Sequence, residues 1–374
     1  MTSYAALLPL FSTGPMAAAE EAAMAVLRSG QIASGPNVEA FRSELARTIG
    51  NPRVVTTSDM SMAIAIALRL AGVGSGDEVI TSPFACLSTN APIALSGARI
   101  RWADVDPATG ALDVEDVRRL IGSATKAVVV YHLAGYPGFA SELAALCGNA
   151  GIALIEDCNN ALGATRDGRL VGTDGDNAIY SFYPNRQING VEGGAIASRD
   201  PADAERATRL RRFGINPARF RSANGEIADD ADVTEIGWSG SMSNLNATVA
   251  LAQIAALPDR LAATRANARR LEKTFAALSG ITPFAALPGA DPVYWGLMVR
   301  TARRDYLLSQ LKQAGVLASL LHQRNDRYSG MPAERRALTG VDEIERDVLA
   351  IPCGWWLGSA DLDRIEEVVA TALR

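Results

Sequence analysis

The chain has 374 residues, more than most single domains hold, so one large unit with a smaller one attached is the expected organisation. A hydrophobic share of 48% with 21% charged residues is a globular composition, and the net charge of −5 leaves no basic footprint for nucleic acid. No apolar run reaches the roughly 18 residues of a spanning helix, so no membrane span is expected.

In chain order, residues 54–56 read as a strand and 62–70 as a helix, then 78–81 as a strand after the turn Gly74-Ser75-Gly76-Asp77. Residues 100–104 read as a strand, 114–121 as a helix, 127–131 as an apolar strand and 143–149 as a helix. Residues 153–157 form a strand ending in Glu156-Asp157, and strands at 178–182 and 194–198 close the series. Strands alternating with helices imply parallel βαβ units and an open sheet covered on both faces, whose ligands lie at the carboxyl ends of the strands. Beyond about residue 245 the pattern changes: a helical stretch over 247–276, divided or kinked by Pro258, leads to a smaller α+β unit over 281–374. The expected division is therefore residues 1–245 and 246–374. The acidic segment 223–234 reads as an exposed loop.

Cys86, Cys147, Cys158 and Cys353 are far apart with no CxxC pair, which argues against a disulfide framework or zinc site and fits a reducing cytoplasm. With only His132 and His322, a histidine-rich metal centre is excluded. Met1-Thr2-Ser3-Tyr4-Ala5 shows no charged-then-apolar leader, so no signal peptide is expected. Of the 36 lysines and arginines, all but Lys126, Lys273 and Lys312 are arginine.

Three features could carry chemistry. Glu156-Asp157 ends a buried strand, where a carboxylate is costly unless it meets a cation or a donor; a surface acid or helix cap is the equally weighted alternative. The polar run Ser181-Phe182-Tyr183-Pro184-Asn185-Arg186-Gln187, with Glu192-Gly193-Gly194 beyond it, suggests close backbone approach to a ligand, or simply a hairpin. His132 ends the apolar run Val128-Val129-Val130-Tyr131, a position for a site residue or for a satisfied structural histidine.

Taken in order, these segments resemble the DegT/DnrJ/StrS family of sugar aminotransferases from end to end. Gly30-Gln31-Ile32-Ala33-Ser34-Gly35-Pro36 is similar to the family's opening motif, and Gly76-Asp77-Glu78-Val79-Ile80, Gly97-Ala98 and Asp104-Val105-Asp106 to the next ones. Val130 to Gly135 resembles the VHLYG strand, Glu156 to Ala164 the EDxAQAxGA segment, and Ser181 to Gly194 the SFxxxK…GEGG loop. Arg324-Asn325-Asp326 and Ile351-Pro352-Cys353-Gly354-Trp355-Trp356 resemble C-terminal signatures. The resemblance implies the fold-type I aminotransferase architecture, a mostly parallel seven-stranded sheet between helices with a smaller C-terminal α+β domain. It also implies a homodimer with shared sites.

The family needs a lysine amine to hold pyridoxal phosphate as an imine and an acid on the pyridinium nitrogen. The resemblance places Asp157 as the acid and Arg186 where the lysine stands; a guanidinium has no free amine lone pair and forms no such imine. The family's phosphate-cradling Ser-Gly-Thr turn reads Ser58-Asp59-Met60, the ring-covering aromatic falls on Cys86, and the cofactor glutamine on Asn160. The partner-reaching asparagine and arginine fall on Ser239 and Ser241, and only Ser58 and Ser181 remain as phosphate ligands. Each lost charge-assisted contact forfeits roughly 1.5–3 kcal/mol.

No covalent aldimine is therefore expected, and non-covalent pyridoxal or pyridoxamine phosphate is disfavoured. The leading expectation is an enzyme of amino-sugar or natural-product biosynthesis that acts on a small anionic or sugar-like substrate without transamination. In it Arg186, Asp157 and His132 are catalytic, Asn185, Asn189, Glu192, His322 and Cys86 meet the substrate, and Asp157, Asn160, Ser181 and Ser58 would hold any cofactor. One alternative is a pyridoxamine-phosphate-dependent enzyme, as in the family's keto-deoxy-sugar 3-dehydratase with histidine at the lysine position. The other is a non-catalytic partner in a heterodimer with an active homologue.

Overall fold

The computed structural model describes residues 7–11 and 17–374; the five N-terminal residues read for a leader lie outside them. Helices α1 (Ala17–Ser29) and α2 (Pro36–Ile49) precede β1 (Val54–Thr57), α3 (Met60–Leu70), β2 (Glu78–Thr81), α4 (Leu87–Leu95) and β3 (Arg99–Trp102). The chain continues through α5 (Val114–Leu120), β4 (Thr125–Tyr131), α6 (Ala140–Ala150) and β5 (Ala153–Asp157). The short pair β6 (Thr165–Arg166) and β7 (Arg169–Leu170) leads into β8 (Asn177–Ser181), β9 (Gly194–Ser198) and α7 (Pro201–Leu210).

These strands form a seven-stranded sheet in the order β1-β9-β8-β5-β4-β2-β3. It is parallel from β8 through β3, while β9 runs antiparallel to both β1 and β8. Its central strands carry apolar side chains on both faces, as burial between helical layers demands: Val128, Val129 and Val130 are fully buried.

The sequence reading of the elements holds with shifts of a few residues at the ends. Helix α4 was not foreseen, because Pro92 lies inside it. The expected long helix is two, α8 (Asn244–Ile254) and α9 (Leu257–Ala276). Pro258 stands in the first turn of α9, where its missing N–H costs nothing. The acidic segment 223–234 is largely exposed.

A second, three-stranded sheet is built from β10 (Thr282–Pro283), β12 (Leu297–Arg300) and β13 (Val348–Ile351), with β11 (Ala290–Asp291) pairing instead with β6. It is covered by α10 (Arg304–Gln313), α11 (Thr339–Asp347) and α12 (Ser359–Leu373). Val293 and Trp295, just before β12, bond back to Gly135 and Ala134 at the end of β4, so this part of the chain closes over the sheet's carboxyl edge. Gly135 permits it: at φ +86 it adopts a backbone most residues avoid, and a Cβ there would lie 2.8 Å from the Asn160 carbonyl.

Candidate functional site

Strands β4 and β5 run parallel with Tyr131 opposite Asp157 and Val130 opposite Glu156. Side chains alternate along a strand, so Tyr131 and Asp157 share one face while Glu156 and the residue after Tyr131, His132, share the other. On the first face the Asp157 carboxylate accepts hydrogen bonds from Thr89 Oγ1 (2.7 Å), the Asn159 backbone N–H (3.0 Å) and Asn159 Nδ2 (2.8 Å). Burial nonetheless wins and raises its pKa above the usual carboxylate value, against these bonds and the charge of Arg186.

Beside it, Asn160 Nδ2 donates to the Tyr131 hydroxyl (2.6 Å), and that hydroxyl lies 3.2 Å from His322 Nε2. Burial and the neighbouring Arg186 push the His322 pKa down to about 3. The imidazole is therefore neutral near pH 7 and shares a hydrogen bond with the Tyr131 hydroxyl.

Arg186 comes from the loop joining β8 to β9 and is only 8% exposed. One guanidinium nitrogen donates to Asn185 Oδ1 (2.5 Å), and the group sits 5.5 Å from the Trp295 ring centroid. Trp295 is held there by its own indole N–H, which donates to the Asn185 carbonyl (2.7 Å), and by stacking on Phe11. Among the described residues no carboxylate pairs with Arg186, and its Nε is buried without a partner. Burial lowers its pKa, opposed by Tyr131, Cys86, Asp157 and Tyr183, yet a guanidinium remains charged.

The orphaned polar atoms cluster here. Of six buried side-chain atoms without a partner among the described residues, Asn159 Oδ1, Asn160 Oδ1 and Arg186 Nε flank this face. A fourth, Thr264 Oγ1, belongs to the small cavity that Arg186 lines with Trp295, Trp355 and Trp356. Buried orphans cost about 1–3 kcal/mol each, so their concentration at one place marks a surface built for a ligand.

His132 is not part of it, contrary to the sequence expectation. Its Nδ1 accepts the Gly138 N–H (2.9 Å), which leaves Nε2 protonated to donate to Glu156 (3.1 Å). Glu156 also takes the backbone N–H groups of Gly172, Asp174 and Gly175. Burial would raise the Glu156 pKa, but His132 and these N–H groups hold it below the ordinary value. The pair is a closed network behind the sheet. The thiol of Cys158 approaches it, but both imidazole nitrogens and the carboxylate are already engaged, so the trio offers no open metal-binding set.

The remaining expected residues divide. Cys86 stands at the start of α4, where its sulfur accepts from Ser88 Oγ (2.9 Å), and its interactions reach Tyr131 and Arg186. Ser181 is buried at the end of β8, accepting from the Tyr183 N–H (3.4 Å). Asn185 is the hydrogen-bond partner of Arg186. Asn189 turns away: its backbone is engaged by Gln253 of α8 and its side chain accepts from Val191 N–H. Glu192 is exposed, and burial of its carboxyl together with the charge of Asp59 raises its pKa. Ser58 donates its hydroxyl to Asp59 (2.8 Å), and Asp59 accepts the Met62 N–H (2.9 Å) as the cap of α3.

The sequence reading missed Tyr131, Thr89 and Trp295. Strand alternation could have found the first, since a residue level with Asp157 on the neighbouring strand must share its face. Nothing local marks the other two.

The chain belongs to the DegT/DnrJ/EryC1/StrS aminotransferase family, whose model matches residues 16–370. Among solved structures it is similar to the sugar aminotransferase CalS13 from Micromonospora echinospora, at 31% identity over 98% of this chain and 100% of that one, with a TM-score of 0.92. AtS13 from Actinomadura melliaura is similar at 30% identity, over 98% and 99% of the two chains, with a TM-score of 0.91. S. venezuelae DesV, solved in complex with a ketimine intermediate, matches at 27% identity over 99% and 100%, with a TM-score of 0.90.

Proposed function

We propose that this family member serves small-molecule biosynthesis by binding a small anionic or sugar-like substrate at Arg186, and that it works without a covalent pyridoxal cofactor. The observation that carries this reading is a buried guanidinium with no ion pair and an unsatisfied Nε among the described residues, with further orphaned polar atoms at Asn159, Asn160 and Thr264. An uncompensated buried charge is expensive, and an anionic ligand supplies the missing partner.

Pyridoxal phosphate, which the family uses, fits these residues poorly. Lys126 is exposed at the start of β4, the end away from Tyr131, and Lys273 and Lys312 are exposed on α9 and α10, so no lysine is at hand for an imine. The start of α3 already holds the Asp59 carboxylate. Arg186 in this reading replaces the relatives' lysine and fixes a carboxylate or a developing oxyanion. Asp157, its pKa raised by burial, is the group placed to accept a proton from the bound molecule, and the neutral His322 with Tyr131 orients it. His132 has no part in this. Exposed Leu87, Tyr183 and Val191 belong to the segments around the cleft, and a second copy of the chain would cover them, giving a homodimer measurable by light scattering.

One observation favours a second reading: the retained, buried Asp157 suits a non-covalently held pyridoxamine phosphate, and a spectral band appearing on its addition would support that. The first reading is tested by screening carboxylates and nucleotide sugars for thermal stabilisation of the purified chain. A ligand whose affinity drops at least about tenfold in Arg186→Ala supports it. Equal binding by the variant, or a borohydride-reducible cofactor adduct on the natural chain, overturns it.

A further inference from the structure

Helix α3 begins where β1 ends, beside the two termini of the β8–β9 loop that carries Arg186. A helix N-terminus in that position of an α/β sheet attracts anions, because its first N–H groups lack partners and its dipole is positive there. Here the attraction is already answered from within. Asp59 Oδ1 accepts the Met62 N–H, and its Oδ2 accepts the Ser58 hydroxyl, so a carboxylate and the nearest hydroxyl donor are both committed. The Ser58 N–H is spent on the Gly240 carbonyl (2.7 Å).

The carboxylate is held firmly. Gly194 of β9 packs so closely on the Asp59 backbone that a Cβ would lie 2.4 Å from its carbonyl oxygen, and Thr57 Oγ1 donates to that same oxygen (2.7 Å). Partial burial and the charge of Asp59 raise the pKa of Glu192, on the loop before β9. The Asp59 carboxylate therefore occupies a place where a phosphate would need donors.

We propose that Asp59 is a specificity-determining residue, an internal anion that closes the α3 N-terminus to phosphate and restricts the cleft to ligands without a phosphate group at that end. This deepens the reading of Arg186 as an anion anchor and rests on it. The cleft would take a ligand whose negative group, such as a carboxylate, meets Arg186 and which brings none to α3.

Pyridoxal phosphate and pyridoxal are suitable probes, since they differ only in the phosphate. Their affinities are measured by calorimetry on the full natural chain and on Asp59→Ser, in which serine keeps the helix cap without the charge. In the natural chain the phosphate adds nothing, and both probes bind equally weakly. In Asp59→Ser the phosphorylated probe gains at least about tenfold over pyridoxal. Asp59→Gly serves as the second variant, and thermal unfolding confirms that each is folded.

A natural chain that already prefers pyridoxal phosphate tenfold overturns the proposal. So does an unchanged ratio, or no binding, in both variants. Arg186 is the same in every chain compared, so the change in ratio on replacing Asp59 reports on α3 alone, and failure here leaves the anion anchor standing.

Discussion

The two faces of the central sheet, at the ends of β4 and β5, carry similar residues in opposite states. Behind the sheet, Glu156 and His132 are fully buried, and every hydrogen-bonding position is used. In front, Asp157 and Arg186 are also buried, yet among the described residues no carboxylate pairs with Arg186 and the side-chain oxygens of Asn159 and Asn160 lack partners. A satisfied buried network holds a fold together, whereas an unsatisfied one costs stability and persists where binding completes it. One residue of register separates the two roles, since Glu156 and Asp157 are consecutive.

The contrast makes the rear the costliest place to cut. Glu156→Ala strands the His132 N–H and three backbone N–H groups in a dry interior, and should lower the unfolding free energy by about 3–5 kcal/mol in urea titration. A loss below about 1 kcal/mol would show that the rear network is no tighter than the front.

His322 gives the front a pH dependence of defined sign. Its folded pKa of about 3 lies below the ordinary histidine value of 6.5, so between these values the unfolded chain binds more protons and stability falls with acidification. Its contribution is intact above 6.5 and declines toward 3. About 3 kcal/mol should be lost by roughly pH 4, a slope that His322→Gln removes. An unchanged slope in that variant would place the titration elsewhere.

Arg186→Met should move the other way from Glu156→Ala. Replacing a buried, unpaired cation with an apolar chain of similar length is expected to stabilise the unliganded protein by about 1–2 kcal/mol while abolishing anion binding. Destabilisation in a thermal melt would mean that the guanidinium is satisfied within the chain. The smallest effect is expected at Asp59→Ala, where loss of the helix cap costs about 1 kcal/mol by urea titration, regardless of ligand.

Much of this architecture was legible in the residues. The alternation of β-branched runs with helical patterns located the strands of the large sheet, and Pro258 marked the break between α8 and α9. Asp157 and Arg186, read as an acid ending a buried strand and as part of a loop marked by paired glycines, are both buried in the structure. His132 was misassigned because its place at a strand end was weighed without the parity of its neighbours. Helix α4, which supplies Thr89 to Asp157, was hidden by Pro92.

The sequence by itself determined most of the elements of the large sheet and which residues are placed at strand ends, because those follow from local periodicity and turn chemistry. It also determined that lysine is scarce, with only Lys126, Lys273 and Lys312 in the chain. Only the tertiary structure decided what each polar group meets: Trp295 reaching Arg186, His322 reaching Tyr131 and Thr89 reaching Asp157 are contacts across long stretches of chain. Hydrogen bonds are short and directional while sequence separation carries no angle, so satisfaction and orphanhood are properties of the folded arrangement alone.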